Sequence, residues 1–140
     1  MNLSNCKVQS KVAEFSYPSF PEFKVKLAHL PRTQQKAIVE RNTKLVWKRG
    51  RQTEELDPKS FYPEYVKAVF KDWEGLTMDI VRHLVPVDDD STPGDTEIDF
   101  SIENARFLVE NSAEFDQWTT EMQSNLQNFV QDKLSEAEKN

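Results

Sequence analysis

The first part of the chain shows a period of two in its apolar residues. Phe23, Val25 and Leu27 alternate with lysines in the stretch EFKVKLAHL, which is typical of a strand with one buried face. A weaker alternation in KVQSKVAEF precedes it, and the two prolines of YPSFP separate the runs. We predict a β-hairpin with strands at 7–15 and 22–29, which must lie on helices or pair with another chain because a lone hairpin is marginal in water.

Helical spacing follows the hairpin. Apolar residues predict a helix over about 33–48, which Gly50 ends after a basic last turn. Asp57 before a proline predicts the N-cap of a second helix. Its aromatic stripe extends to Trp73, and Gly75 falls where a left-handed residue ends a helix.

The tetrapeptide Asp72-Trp73-Glu74-Gly75 raises the question of a carboxylate site. Neighbouring residues on a helix point about 100° apart, whereas paired-carboxylate chemistry needs convergent oxygens. We therefore interpret Trp73 and Gly75 as structural residues.

The second half predicts further helices around an acidic loop. A short helix follows Thr77, and the loop PVDDDSTPGDTE at 86–97 is expected to be exposed and mobile. Ser101 predicts the cap of a helix at about 102–110, and Ser112 that of a helix at about 113–133. The apolar stripe of this last helix is most simply core, although its Met and aromatic residues would also suit a partner helix.

These elements predict a mainly α fold of the α+β type. An N-terminal β-hairpin precedes a bundle of about four to five helices. We expect an extension with the first strand at 1–21, a single domain at 22–134 and a polar tail at 135–140.

Charge is distributed unevenly. Residues 1–75 carry a balance of +5 and residues 76–140 one of −11, which gives the chain its net charge of −6. The split indicates two different faces or ends. It serves solubility, and it could also attract neighbouring copies.

The chain offers little catalytic chemistry. Its single cysteine, Cys6, excludes an internal disulfide and fits a reducing compartment. His29 and His83 stand in no metal-ligand spacing, and the aspartates at 88–90 lack the spacing of a calcium loop. We expect no enzyme, no metal and no cofactor. We expect no signal peptide, and the sequence has no apolar run long enough to span a membrane.

A basic cluster with an aromatic residue, KLVWKRGRQ at 44–52, could contact phosphates. It is one short cluster in an acidic chain, so a helix terminus or an acidic protein partner is the better interpretation. We expect no nucleic acid partner and no membrane partner.

Read in order, the motifs resemble the tail assembly chaperones of long-tailed, siphovirus-like bacteriophages. The stretches that carry the resemblance are FKVKLAHLPR at 23–32, ELDPKSFYPEYVKAVFKDWEGL at 55–76, IDFSIENARFLVENSAEF at 98–115 and LQNFV at 126–130. KDWEGL and FSIENARFLV are the strongest elements. Residues 1–20 and the loop at 86–97 match poorly.

The resemblance implies a small, mostly helical, non-catalytic protein of the host cytoplasm. Such chaperones bind the tape measure protein, keep it soluble, help to recruit tail tube subunits and are not retained in the virion. Many are also made as a longer, frameshifted product. A structural phage protein retained in the virion, such as a tail-completion or head–tail connector subunit, is the alternative, and a small nucleic-acid binder is the third interpretation.

Aromatic residues with arginine are favoured at protein interfaces. We therefore predict a partner-binding surface with rim charges, and self-association remains possible. The predicted residues are Trp47, Phe61, Tyr65, Trp118 and Met122, with Lys44, Lys48, Arg49 and Arg51 as the rim. Trp73, Gly75, Asp57, Ser101 and Ser112 are assigned to structure.

Overall fold

The computed structural model describes residues 1–130, in which five strands form two antiparallel sheets packed with helices. In chain order, after a short 3₁₀ turn, the elements are β1 (Val12–Tyr17), β2 (Phe20–Ala28), α1 (Arg32–Arg41), β3 (Thr43–Lys48), β4 (Arg51–Leu56), α2 (Pro58–Val69), β5 (Phe70–Glu74), α3 (Met78–Leu84), α4 (Ile102–Asn111) and α5 (Ala113–Ser124). The predicted mainly α bundle of four to five helices is therefore wrong. The fold is a mixed α+β fold that begins with a β-hairpin.

The predicted hairpin exists as β1 and β2, and a third strand supports it. The sheet order is β1–β2–β5, with both pairs antiparallel. Phe23, Val25 and Leu27 are fully buried, as their alternation predicts. The predicted domain boundary at residue 22 falls inside β2, and β1 belongs to the same sheet as the rest. The hairpin is thus not isolated, because β5 covers one edge of β2.

The segment around Trp73 is a strand and not the end of a helix. Phe70 and Trp73 both face the core, three residues apart. The register shifts between Lys26 and Leu27, which pair with Asp72 and Phe70, so Lys71 is an extra residue in β5. This bulge turns the strand period of two into a spacing of three, which resembles a helical stripe.

The predicted helix at 33–48 is also wrong in its second half. The helix α1 ends at Arg41, and β3 pairs with β4 from Thr43↔Leu56 to Lys48↔Arg51. Gly50 therefore lies in a two-residue hairpin turn, next to Arg49, and does not end a helix. Both turn residues have positive φ, 51° for Arg49 and 74° for Gly50, as a type I′ hairpin turn requires.

The predicted caps at Asp57, Ser101 and Ser112 are confirmed. The side chains of Asp57, Ser101 and Ser112 accept hydrogen bonds from the backbone N–H groups of the first turns of α2, α4 and α5. The last helix is shorter than predicted, because α5 ends at Ser124 and a new helical segment starts at 127. The rest of the predicted helix and the tail at 135–140 lie outside the described residues.

Aromatic rings form the centre of the core. Phe115 on α5 contacts the rings of Tyr17, Phe23, Phe70 and Trp118. These rings come from β1, β2, β5 and α5, so the sheet and the last helix share one core. The helix α5 therefore packs on the sheet and stabilises it, as predicted for a hairpin that must lie on helices.

The acidic loop at 86–97 is held by specific hydrogen bonds. Arg82 donates to the backbone carbonyls of Asp89 and Thr92. The carbonyls of Gly94 and Thr96 accept from the N–H groups of Asp79 and Met78 and so cap the start of α3. These contacts place the loop beside α3.

Candidate partner-binding surface

The ribbon formed by β3 and β4 carries large apolar side chains that are exposed. No third strand joins these two within residues 1–130. The register places Leu45, Trp47 and Leu56 on one face. Trp47 is 71% exposed and Leu45 61%. Large apolar residues grouped in this way on an exposed face are typical of an interaction surface.

The other face and the tip of the ribbon carry the predicted rim cations. Lys48 is ion-paired with Glu55, and the Lys44 ammonium lies 3.9 Å from the Asp57 carboxylate. Arg49 and Arg51, at the tip, have no ion pair with any residue that the structure describes. The two arginines are therefore the cations best placed to meet a partner.

A polar contact ties the root of the ribbon to α2. The side-chain amide of Asn42 donates to the Ile38 carbonyl and to the Glu64 carboxylate, each at 2.7 Å. Arg41 also pairs with Glu64, and the hydrogen bonds from Arg41 and Asn42 lower the pKa of this carboxyl. The ribbon thus projects from a fixed base.

The other predicted aromatic residues do not join Trp47 on one surface. Tyr65 and Trp118 are 5% and 9% exposed and belong to the core, so assigning them to a partner surface is wrong. Phe61 stacks on Tyr65, with ring centroids 5.4 Å apart, and Met122 packs against the core while half-buried. Of the predicted apolar anchors, only Trp47 is prominently exposed.

A second surface was not predicted from the sequence. A cleft of about 400 Å³ lies between α3, α4 and the acidic loop. Its apolar wall and polar rim are formed by Leu76, Met78, Val81, Val87, Asp88, Asp89, Ile98, Asn104, Phe107 and Leu108. Phe107 is 44% exposed although its neighbour Leu108 is buried. The sequence signal that could have indicated this cleft is Phe107, an aromatic residue that lies outside the buried apolar stripe of its helix.

The rim of the cleft is acidic. The Asp89 carboxylate accepts hydrogen bonds from the backbone N–H and hydroxyl groups of Ser91 and Thr92. These bonds lower the pKa of Asp89 to about 2, so the group is an anion at neutral pH. Asp88 and Asp90 beside it are exposed.

The two histidines make structural contacts. Nδ1 of His29 lies 2.6 Å from the Gln123 carbonyl oxygen, and the His83 ring packs edge-on against Phe20. Cys6 is free and exposed. Within the described residues, no cluster of three His, Cys, Asp or Glu could hold a metal ion, and no helix there is long and apolar enough to cross a membrane.

No protein-family model, no curated protein and no solved structure matches the chain.

Proposed function

We propose that this protein is a tail assembly chaperone of a long-tailed phage, which binds the tape measure protein, keeps it soluble and helps to recruit tail tube subunits. The observation that carries the proposal is the ribbon of β3 and β4, with Leu45, Trp47 and Leu56 exposed on one face. A chaperone that holds an apolar partner needs such a surface before the partner arrives.

The ribbon suits a long helical partner. Its apolar face can contact the apolar stripe of a helix, a mode of recognition in which spaced anchors give the affinity. Arg49 at the tip can attract acidic residues beside that stripe. The polar root at Asn42 and Glu64 fixes where the ribbon stands, which reduces the ordering cost of binding.

The motifs that resemble the chaperone family have clear positions in the fold. KDWEGL forms β5 and the left-handed Gly75 after it. FSIENARFLV forms the capped α4 with Phe107 at the cleft. These stretches build the core and one wall of a surface, which is compatible with a binding protein.

Co-expression with the tape measure protein of the same phage tests the proposal. We expect the tape measure protein to become soluble only with this chain and to co-purify with it. A tape measure protein that stays insoluble and unbound would overturn the proposal. Proteomics of purified virions provides a second test, because a chaperone is absent from the particle, whereas a retained tail or connector protein is present.

Ribbon variants locate the binding surface. Trp47→Ser, and separately charge reversal at Lys48, Arg49 and Arg51, should reduce co-purification. Leu126→Ser is the matched control, because Leu126 is an exposed apolar residue outside the ribbon, 46% accessible. Equal co-purification by the wild type and both ribbon variants, at low and moderate salt, would exclude the ribbon as the binding surface.

A further inference from the structure

Two surfaces of this chain are complementary in size and charge. The ribbon presents a bulky apolar side chain, Trp47, on one face, with Arg49 in the turn at its tip and Arg51 on the opposite face. The cleft between α3 and α4 presents an apolar hollow beside Asp88 and Asp89. One surface is a basic projection and the other an acidic recess.

The sizes also agree. A cleft of about 400 Å³ lies within the range of roughly 300–1,000 Å³ that is usual for pockets that bind small groups. An aromatic side chain that enters such a pocket removes about 150–250 Å² of its surface from water. Met78, Val81 and Phe107 supply the apolar wall that an indole ring would contact.

Trp47 does not fill the cleft of its own chain, since it is 71% exposed. Arg49 at the tip also lacks an ion-pair partner among residues 1–130. The cleft is open in the same molecule. Both surfaces are thus available to a second molecule at the same time.

We propose that the ribbon tip of one copy docks in the α3–α4 cleft of a second copy, with Trp47 against Phe107 and Arg49 of the tip beside the acidic rim. Two different patches meet in this contact, so it is heterologous and leaves one free ribbon and one free cleft on each pair. Further copies can add at both ends.

The contact covers Trp47, so self-association and partner binding at the ribbon exclude each other. This consequence, unlike the docking itself, rests on the proposed function. It gives the chain a way to cover its exposed apolar surface until the partner is present.

Sedimentation velocity of the full chain and two complementary variants tests the docking. Trp47→Glu removes the ribbon anchor, and Phe107→Glu places a charge in the cleft. We expect the wild type to self-associate with rising concentration and each variant alone to remain monomeric. An equimolar mixture should form a dimer and nothing larger, because only one intact ribbon meets one intact cleft.

Control variants distinguish this contact from non-specific association and from misfolding. Leu126→Glu, an exposed apolar residue elsewhere, should associate like the wild type. Asp88→Lys combined with Asp90→Lys changes only exposed rim residues and should weaken association in low salt, where charge pairs are least screened. Circular dichroism verifies that each variant is folded.

Three results would overturn the proposal: a wild type that is monomeric at every concentration, single variants that associate like the wild type, or a mixture that stays monomeric. The proposed function is tested separately from the docking. If both proposals hold, Phe107→Glu fails to self-associate but still solubilises the tape measure protein. A wild type that does not bind the tape measure protein leaves the mixing result unchanged.

Discussion

Gly75 lies directly against the backbone of Glu22: a Cβ atom on Gly75 would overlap the Glu22 carbonyl oxygen. Gly75 also has a φ of +79°, in the left-handed region that other residues adopt at a cost. The turn that leaves β5 next to β2 therefore requires glycine for two separate reasons.

Gly75→Ala should destabilise the protein by roughly 2–4 kcal/mol, because backbone strain and a clash with backbone atoms act together. Urea unfolding measures the change. Gly50→Ala is the matched control, since Gly50 has a φ of +74° but nothing within 4 Å of its added Cβ. The control should cost only about 1 kcal/mol, from the backbone conformation alone. Equal costs at the two sites would contradict the close approach of Gly75 to β2.

Gln123 joins three parts of the fold through a buried side chain. Its amide oxygen accepts from the Leu30 N–H at 3.1 Å, and its amide nitrogen donates to the Tyr65 hydroxyl at 3.2 Å. Gln123→Leu leaves the Leu30 N–H without its partner, so we expect a loss of about 1–3 kcal/mol in the free energy of unfolding.

Gln117→Leu is the matched control for this change, because Gln117 is exposed on the same helix. We expect it to alter stability by less than about 0.5 kcal/mol. Tyr65→Phe removes the other end of the Gln123 contact, so its effect should not add to that of Gln123→Leu. Additive effects in thermal or urea unfolding would show that the two side chains act independently.

The Asp89 carboxylate should make stability depend on acid pH. Its pKa is lowered to about 2 in the folded chain by hydrogen bonds from Thr92 and Ser91, below the ordinary value of about 3.9. The unfolded state thus takes up protons first as the pH falls, so the stabilisation is complete above the ordinary pKa and declines from there towards the lowered pKa.

Asp89→Asn should therefore be less stable than the wild type near neutral pH, and the difference should shrink as the pH falls from about 4 towards the lowered pKa. Urea unfolding at a series of pH values measures it. Asp90→Asn removes a neighbouring exposed charge that accepts no hydrogen bond among the described residues. If the two variants depend on pH in the same way, the Asp89 hydrogen bonds do not couple to folding.

Sequence patterns predict the local features of this fold better than the pairing of its strands. The alternation of Phe23, Val25 and Leu27 and the caps at Ser101 and Ser112 are local, and all are confirmed. Each depends only on side-chain spacing or on a side chain reaching a nearby N–H.

The wrong elements depend on long-range partners. β5 carries a bulge at Lys71 that gives Phe70 and Trp73 a helix-like spacing, and only its pairing with β2 identifies it as a strand. The sequence pattern predicts a helix where β3 lies, because Gly50 suits a helix end as well as a hairpin turn. The acidic cleft lies between α3, α4 and the loop. These elements come together only in the folded chain, so no local sequence pattern predicts the cleft.

Local patterns also do not show which aromatic residues long-range packing buries, so Trp118 was wrongly predicted to bind a partner together with Trp47. The two tryptophans can be compared directly. Both are tryptophans in apolar patterns, but Trp47 is exposed on the ribbon while Trp118 packs edge-on against Tyr17 with ring centroids 5.0 Å apart. Trp118→Ala should lower the free energy of unfolding by about 3–5 kcal/mol, because it leaves a cavity in the core. Trp47→Ala should change it by less than about 0.5 kcal/mol, as expected for a surface substitution.

Urea unfolding of the two variants, followed by far-ultraviolet circular dichroism, measures the difference. A large loss for Trp47→Ala at a concentration where the chain is monomeric would show that the ribbon contributes to folding, and Trp47 would then no longer be free to serve as a binding residue.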